Sequence, residues 1–359
     1  MALDSGGHFV DLAAAQALSQ AKRVPGIIGE DVRRGALTDM LPVSQQSGTQ
    51  MEWVREKIVS SGRRAAVGST LIWDEENDHD TITESLVIGY KQTLLNNYVQ
   101  GVYGTFNNYA TVQAMADRKA LMNFINEDIM YGDPVNGAAG SGTGGEVRGL
   151  HHLANLYPTA LGGDTNGLNI DEGEAGLSLK NMRDMEDRMR HGIDFWMFPF
   201  PIWNRLSAYT QEAGLTTNTF GQISFTENDL GKRVYFWNGT PIVPTDYLVA
   251  EQENTGVDTT TKRLQAADNT AAGAAYTGDN QYSIFAVKRG LAALGEPGLS
   301  WNFGGEGASA GEPIMTDGFD KMENSDAKGL RQTIYHNIAD GSRMALGRIY
   351  DIEDVAIVA

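Results

Sequence analysis

From Asn107 to Pro134, apolar residues recur at Val112, Met115, Met122, Ile125 and Ile129, the spacing of one helical face. Asp117, Arg118, Lys119, Asn126 and Glu127 fill the opposite side. Asn107 and Asn108 suit the N-cap. Gly132 suits a left-handed C′ position, and Pro134 cannot continue the helix. The pattern predicts a helix over 107–131, about 35 Å long at 1.5 Å per residue. It is the longest periodic stretch, and the rest of the chain arranges itself around it. An ordinary core helix of an α+β domain fits the same pattern.

Shorter periods surround it. FVDLAAAQALSQAK (9–22), carrying Phe9, Leu12 and Leu18, is a candidate helix too short to stand alone in water. Residues 24–49 lack periodicity and read as an extended arm. QMEWVREKIV, VGSTLIWD and TITESLVIGYKQ have β-branched and aromatic content with partial alternation. They predict a long hairpin-like excursion with a basic turn at Arg63-Arg64 and an acidic turn at 74–80. That acidic cluster lacks the spacing, central Gly and closing Glu of a calcium loop and reads as a solvated turn.

Downstream, 135–145 (VNGAAGSGTGG) follows a helix rather than a strand and precedes no Gly-Lys-Ser/Thr, so it reads as a flexible loop, not a phosphate cradle. Residues 146–156 read as a short strand or turn, and 161–176 as turn chemistry. Ser178 is placed to cap a second helix whose Leu179, Met182, Met185 and Met189 form a stripe, the usual signature of adaptable core packing. IDFWMFPF reads as a buried strand. A third helix begins at Pro201 and stops at Gly214. TFGQISF, KRVYFW and TPIVPTDYLV read as strands, and Asn238-Gly239 between the last two is a hairpin signal. Residues 251–280 are poor in aliphatics and read as an exposed insertion. QYSIFAVKRG returns to strand, 304–318 is soft, and Leu330, Gln332, Ile334, His336 and Ile338 alternate along a long strand. LGRIYDIEDVAIVA closes the chain as strand.

Composition narrows the function. With 46 acidic against 28 basic residues, the formal charge is −18. That argues against a dedicated nucleic-acid-binding face. With no cysteine, neither disulfides nor thiolate metal sites can form. His151-His152 point apart in regular structure and make a poor metal pair. Neither an export signal nor an apolar run near 18 residues is visible, so no membrane partner is expected. No nucleophile–base arrangement stands out, so the reading is non-enzymatic, with no catalytic, cofactor or metal site.

In order, ADRKALMNFINEDIMYGDP, then MRHGIDFWMFPFPIWNRLSAY, LGKRVYFWNGTPIVPTDYL, YSIFAVKRGL and RQTIYHNIADGSRMALGRIYDIED resemble segments of the tailed-phage major capsid proteins of the Hong Kong 97 type. The resemblance implies an α+β fold with an N-terminal arm (1–45), an E-loop (46–92), a P-domain with its spine helix (93–190), an A-domain (191–320) and a returning P-domain segment (321–359). It implies a shell subunit forming hexamers and pentamers around double-stranded DNA, assembled in the host cytoplasm and ending in the virion. Portal and scaffolding proteins would be its partners, with a decoration protein as a further one and weak, non-specific contact to DNA. An encapsulin-type nanocompartment shell is the alternative, and an α+β enzyme or sugar-binding protein is a third class. Candidate subunit contacts are Phe9 and Leu12 in the arm, Trp53 and Trp73 as apolar contacts, and Arg63 and Arg64 facing a neighbour's acids. Some members of that family form a Lys–Asn cross-link assisted by a Glu. Lys57 has no matching Asn–Glu setting in this sequence, so no cross-link is expected. A cleaved N-terminal scaffolding domain is likewise not expected.

Overall fold

In the computed structural model, the described residues are 33–48, 50–58, 64, 66–70, 78–98, 101, 109–132, 134, 146–156, 167–212, 223–227, 233–251, 281–305, 312–321 and 326–358. In chain order the strands are β1 (Val43–Gln46), β2 (Gln50–Ile58), β3 (Asp78–Ser85), β4 (Val87–Asn96), β5 (Asn169–Ala175), β6 (Phe195–Pro199), β7 (Ile223–Glu227), β8 (Arg233–Trp237), β9 (Thr240–Thr245), β10 (Gln281–Val287), β11 (Leu299–Gly304), β12 (Met315–Lys321), β13 (Ala327–Asp340) and β14 (Leu346–Glu353). The helices are α1 (Tyr109–Tyr131), α2 (Leu150–Leu156), α3 (Leu179–Arg188) and α4 (Phe200–Glu212). The expected candidate helix at 9–22, the loop 135–145 and residues 252–280 lie outside the described residues.

β13 organises one sheet. Along one edge it pairs antiparallel with β4, from Val87↔His336 to Asn96↔Ala327. Along the other edge it pairs with β11 through 335–340 and with β12 through 328–333. Its alternation works as the sequence predicts: Leu330, Gln332, Ile334, His336 and Ile338 are buried. Ile334 and Ile338 meet Leu121, Ile125 and Ile129 of α1, so the helix covers that face. A second sheet runs β5-β14-β10-β6-β9-β8-β7, and α3 with its C-cap Met189 supplies Met182, Met185 and Met189 to its core, while α4 supplies Ile202 and Leu206. The Asn238-Gly239 turn between β8 and β9 has positive φ at both residues (46° and 85°), as a two-residue hairpin requires.

The long helix is where expected, but its faces differ from the simple stripe. Asp117 and Asn126 are buried, while Met115 (64% exposed) and Phe124 (50%) face outward. Asn126 is buried because it holds the arm's root: its Oδ1 accepts from the Thr38 N–H at 3.2 Å. Gly132 is not in the left-handed region. A Cβ there would collide with the carbonyls of Val147 and Asp128. The Gly149 N–H donates to Gly132 O at 2.9 Å, so two glycines let the next segment press against the helix end.

Several other stretches depart from expectation. Residues 150–156 form α2, because Leu150, His151, Leu153 and Ala154 bury one helical side against the core. The polar stretch Asn169–Ala175 is a strand, β5, held by parallel pairing to β14 rather than by its own apolar content. β11, fully buried, lies where no strand was expected. Asp78–Asp80 open β3 instead of completing an acidic turn. Residues 37–46 are not a free arm: Leu37 and Leu41 are buried, and β1 pairs parallel to β11. Ser178 makes no side-chain cap; its backbone N–H donates to Glu172 instead.

Candidate assembly surface

β2 and β3 form a two-stranded ribbon that pairs with no other strand among the described residues. Strand alternation sends Met51 and Trp53 to one side, where they are buried with Ala292 and Ala339. The Trp53 indole N–H donates to the backbone O of Asp340 at 3.0 Å. The Asp340 carboxylate then gathers two cations. Arg55 Nη1 lies 3.4 Å from Oδ2, and Arg148 Nη1 lies 3.5 Å from Oδ1. Arg148 also donates to Glu84 Oε1 on β3 at 2.5 Å. Two arginines and two carboxylates thus fasten the ribbon's root to the end of β13. Glu84 is pushed above its ordinary 4.5 by burial, partly offset by Arg148 and reinforced by Asp340. Apart from Trp53, these residues carry no sequence motif; each becomes meaningful only when four distant segments meet.

The arm joins the body at a second fixed point. The Arg34 guanidinium stacks on Phe200 at 3.8 Å and reaches both Asp246 oxygens, at 3.2 and 3.3 Å. Backbone bonds run both ways, from Arg34 N to Asp246 Oδ2 and from Asp246 N to Arg34 O. Arg33 pairs with Glu127 of α1.

A third polar cluster is sealed inside. Glu251 accepts from Ser283 Oγ at 2.7 Å and from Arg348 Nη2 at 2.8 Å, and His151 Nε2 lies 2.5 Å from its other oxygen. His151 Nδ1 is 2.8 Å from Met130 O, and its ring stacks on Tyr131. Burial alone would raise the Glu251 carboxyl, but His151 and Arg348, with the hydrogen bonds, hold it down to about 2. Ser, His and Glu are groups used in nucleophilic catalysis. Here the serine donates to the carboxylate rather than to a base, and Ser283 and His151 are fully buried. The cluster ties the C-terminus of α1 to β10 and β14. It is a structural clamp.

Of the expected contact residues, Trp53 is committed to its own protomer at 7% exposure. Arg64 is exposed. Phe9, Leu12, Arg63 and Trp73 lie outside the described residues. Among the described residues, no group of three or more His, Asp and Glu gathers to hold a metal, and no helix is long and apolar enough to cross a membrane.

No family model matches the chain. Over 161 residues, 43% of the chain, it is 30% identical to the major capsid protein of Enterobacteria phage HK97, and the match covers 38% of that protein. The chain therefore spans well under two thirds of the curated relative. Among solved structures, it is similar throughout to the holo-SrpI encapsulin complex from Synechococcus elongatus PCC 7942, with 10% identity, 100% of this chain and 99% of that one, and a TM-score of 0.63. The capsid of Cyanophage A-1(L) matches 96% of this chain and 99% of that one at 12% identity and a TM-score of 0.59. The capsid of Cyanophage P-SCSP1u matches 93% of each chain at 9% identity and a TM-score of 0.57.

Proposed function

We propose that this chain, which has the Hong Kong 97-type capsid fold, is the major capsid protein of a tailed phage. It assembles with copies of itself into hexamers and pentamers of an icosahedral shell around double-stranded DNA. The observation that carries this reading is the combination of whole-chain fold likeness to phage capsids with 30% identity to a phage major capsid protein. The protomer's shape supports it: a lone ribbon with Val54 exposed at 67% gains little in a monomer, because it leaves apolar surface in water. Arg63 and Arg64 meet acids of a neighbour in this reading. Each exposed pair contributes at most about 1 kcal/mol, and repetition around the shell makes the sum sufficient. The negative net charge suits a container that must not grip packaged DNA. Assembly takes place in the host cytoplasm, with portal and scaffolding proteins as partners and a decoration protein on the finished shell.

The encapsulin likeness over the full chain supports a second reading, a protein-filled nanocompartment. Size exclusion and negative-stain microscopy of the expressed chain test the shell itself. Closed particles or ring-shaped capsomers are expected, and a stable monomer would overturn both shell readings. Nuclease-resistant DNA inside particles from infected cells separates phage from nanocompartment. Denaturing gels of those particles are expected to show single-chain bands, without a cross-linked ladder.

A further inference from the structure

The turn between β8 and β9 carries a reactive dipeptide in an unreactive shape. Asn-Gly is the pair most prone to lose ammonia, because glycine has no side chain to shield its own nitrogen. In that reaction Gly239 N attacks Asn238 Cγ. The new N–Cγ bond closes a five-membered imide. The Cγ–Nδ2 bond breaks, and Nδ2 leaves as ammonia, taking the proton from Gly239 N. Water then opens the imide at either carbonyl, leaving aspartate or isoaspartate. Asn238 and Gly239 are both exposed, so water reaches the site.

The closed turn holds the reacting atoms apart. φ is 46° at Asn238 and 85° at Gly239, the mirror image of a type I turn. The matching ψ at the first position is about +30°. That rotation sets Gly239 N almost opposite Cβ across the Cα–C bond, where Cγ cannot reach it. The amide itself is also tied: Asn238 Nδ2 donates to Glu186 Oε2 of α3 at 2.7 Å. Cγ is thereby turned toward the helix. The ladder behind the turn is short. β8 meets β9 at Phe236↔Pro241 and Trp237↔Thr240, and Pro241 has no N–H to contribute. Trp237 and Ile242 behind it are buried, so opening is confined to the tip.

We propose that Asn238 is a deamidation site gated by this turn, with the Glu186 hydrogen bond as its latch. While the turn is closed, the amide survives. Each opening offers Cγ to Gly239 N, and a single conversion is permanent. The product sets a carboxylate against Glu186 where a donor stood, so the former contact cannot re-form. The chain thus keeps a record of how long the tip has been open. The gate needs only the folded chain and is independent of the shell reading.

The test follows the full-length chain over days, folded in buffer and unfolded in guanidinium chloride, at one pH and temperature. Peptide mass spectrometry with enzymatic isoaspartate detection reads the amide-to-acid exchange. The peptide holding Asn238 is expected to convert about tenfold more slowly in the folded chain. Asn136-Gly137 and Asn166-Gly167 supply the same dipeptide as calibration of the unfolded rate. Equal folded and unfolded rates at Asn238, or an Asn238 that survives unfolding while those two convert, would overturn the proposal. Glu186→Ala is expected to speed conversion in the folded chain about fivefold, with circular dichroism unchanged. Glu186→Gln, whose amide oxygen still accepts from Nδ2, is expected to stay within about twofold of the wild type. An alanine variant as slow as the wild type would remove Glu186 as the latch.

Discussion

Trp53 donates its indole N–H to the main-chain oxygen of Asp340, 287 residues away, and so fixes where the ribbon leaves the body. Trp53→Phe is expected to keep the ring's burial and lose the bond, costing about 1 kcal/mol. Trp53→Ala should cost about 3–5 kcal/mol through the cavity it leaves. Urea unfolding measures both. Limited proteolysis of the alanine variant should cut between 50 and 85 before the body is touched.

Arg148 stands between Glu84 and Asp340, so its removal is worse than the loss of one ion pair. Arg148→Ala leaves the half-buried Glu84 without its cation and Asp340 with Arg55 but not Arg148, and about 3 kcal/mol of stability is expected to go. The pH dependence of Glu84 has a definite sign. Its folded value lies above the ordinary 4.5, so the folded state holds the proton longer than the unfolded chain. Its contribution is largest at low pH and falls as pH rises through the folded value. Arg148→Ala should steepen that fall, visible in melting temperatures taken from pH 4 to 7.

His336 and Glu251 act in the opposite direction. Neither ring nitrogen of His336 has a hydrogen-bond partner, and burial depresses the imidazole from 6.5 to about 4. The unfolded chain therefore takes up the proton first, and stability is lost as pH falls from 6.5 toward 4. Glu251, held at about 2, contributes stability above 4.5 that is lost between 4.5 and 2. Each window is worth on the order of 3 kcal/mol, at 1.36 kcal/mol per unit. His336→Phe is expected to flatten the upper window without loss of stability at pH 7. Glu251→Gln should flatten the lower one but cost stability at neutral pH, because Arg348 and His151 lose their anion.

Arg34 and Gly35 are adjacent but should respond very differently. The Arg34 side chain is well exposed, so solvent screening limits Arg34→Ala to about 1 kcal/mol. Gly35 sits at φ 72°, and a Cβ there would collide with Pro244 O. Gly35→Ala is expected to cost several times more, seen as a larger drop in melting temperature or loss of soluble protein.

The elements legible in the sequence are those that carry their own period or punctuation. The spine helix, the Met stripe of α3, the Asn-Gly hairpin and the alternation of β13 are of this kind. Those missed depend on partners far along the chain. β5 is polar and exists because β14 offers it a parallel edge. α2 is too short for its period to stand out, and depends on Gly132 and Gly149 meeting. Asp117 and Asn126 look like surface residues by spacing. Asn126 is drawn inward by the Thr38 backbone, which no local pattern announces. At the ribbon root, Trp53 reads from the sequence as an apolar contact with a neighbour. Its actual partner is a main-chain oxygen, which leaves no trace in residue identity.

The Glu251 N–H donates to Gln281 O at 2.7 Å, an antiparallel bridge that brings the residues on either side of 252–280 together. What lies between them begins and finishes at one doorway. Adding or removing residues there changes closure entropy only logarithmically and need not shift either flank. A lineage of such proteins could therefore lengthen, shorten or exchange that segment freely while every described strand kept its register.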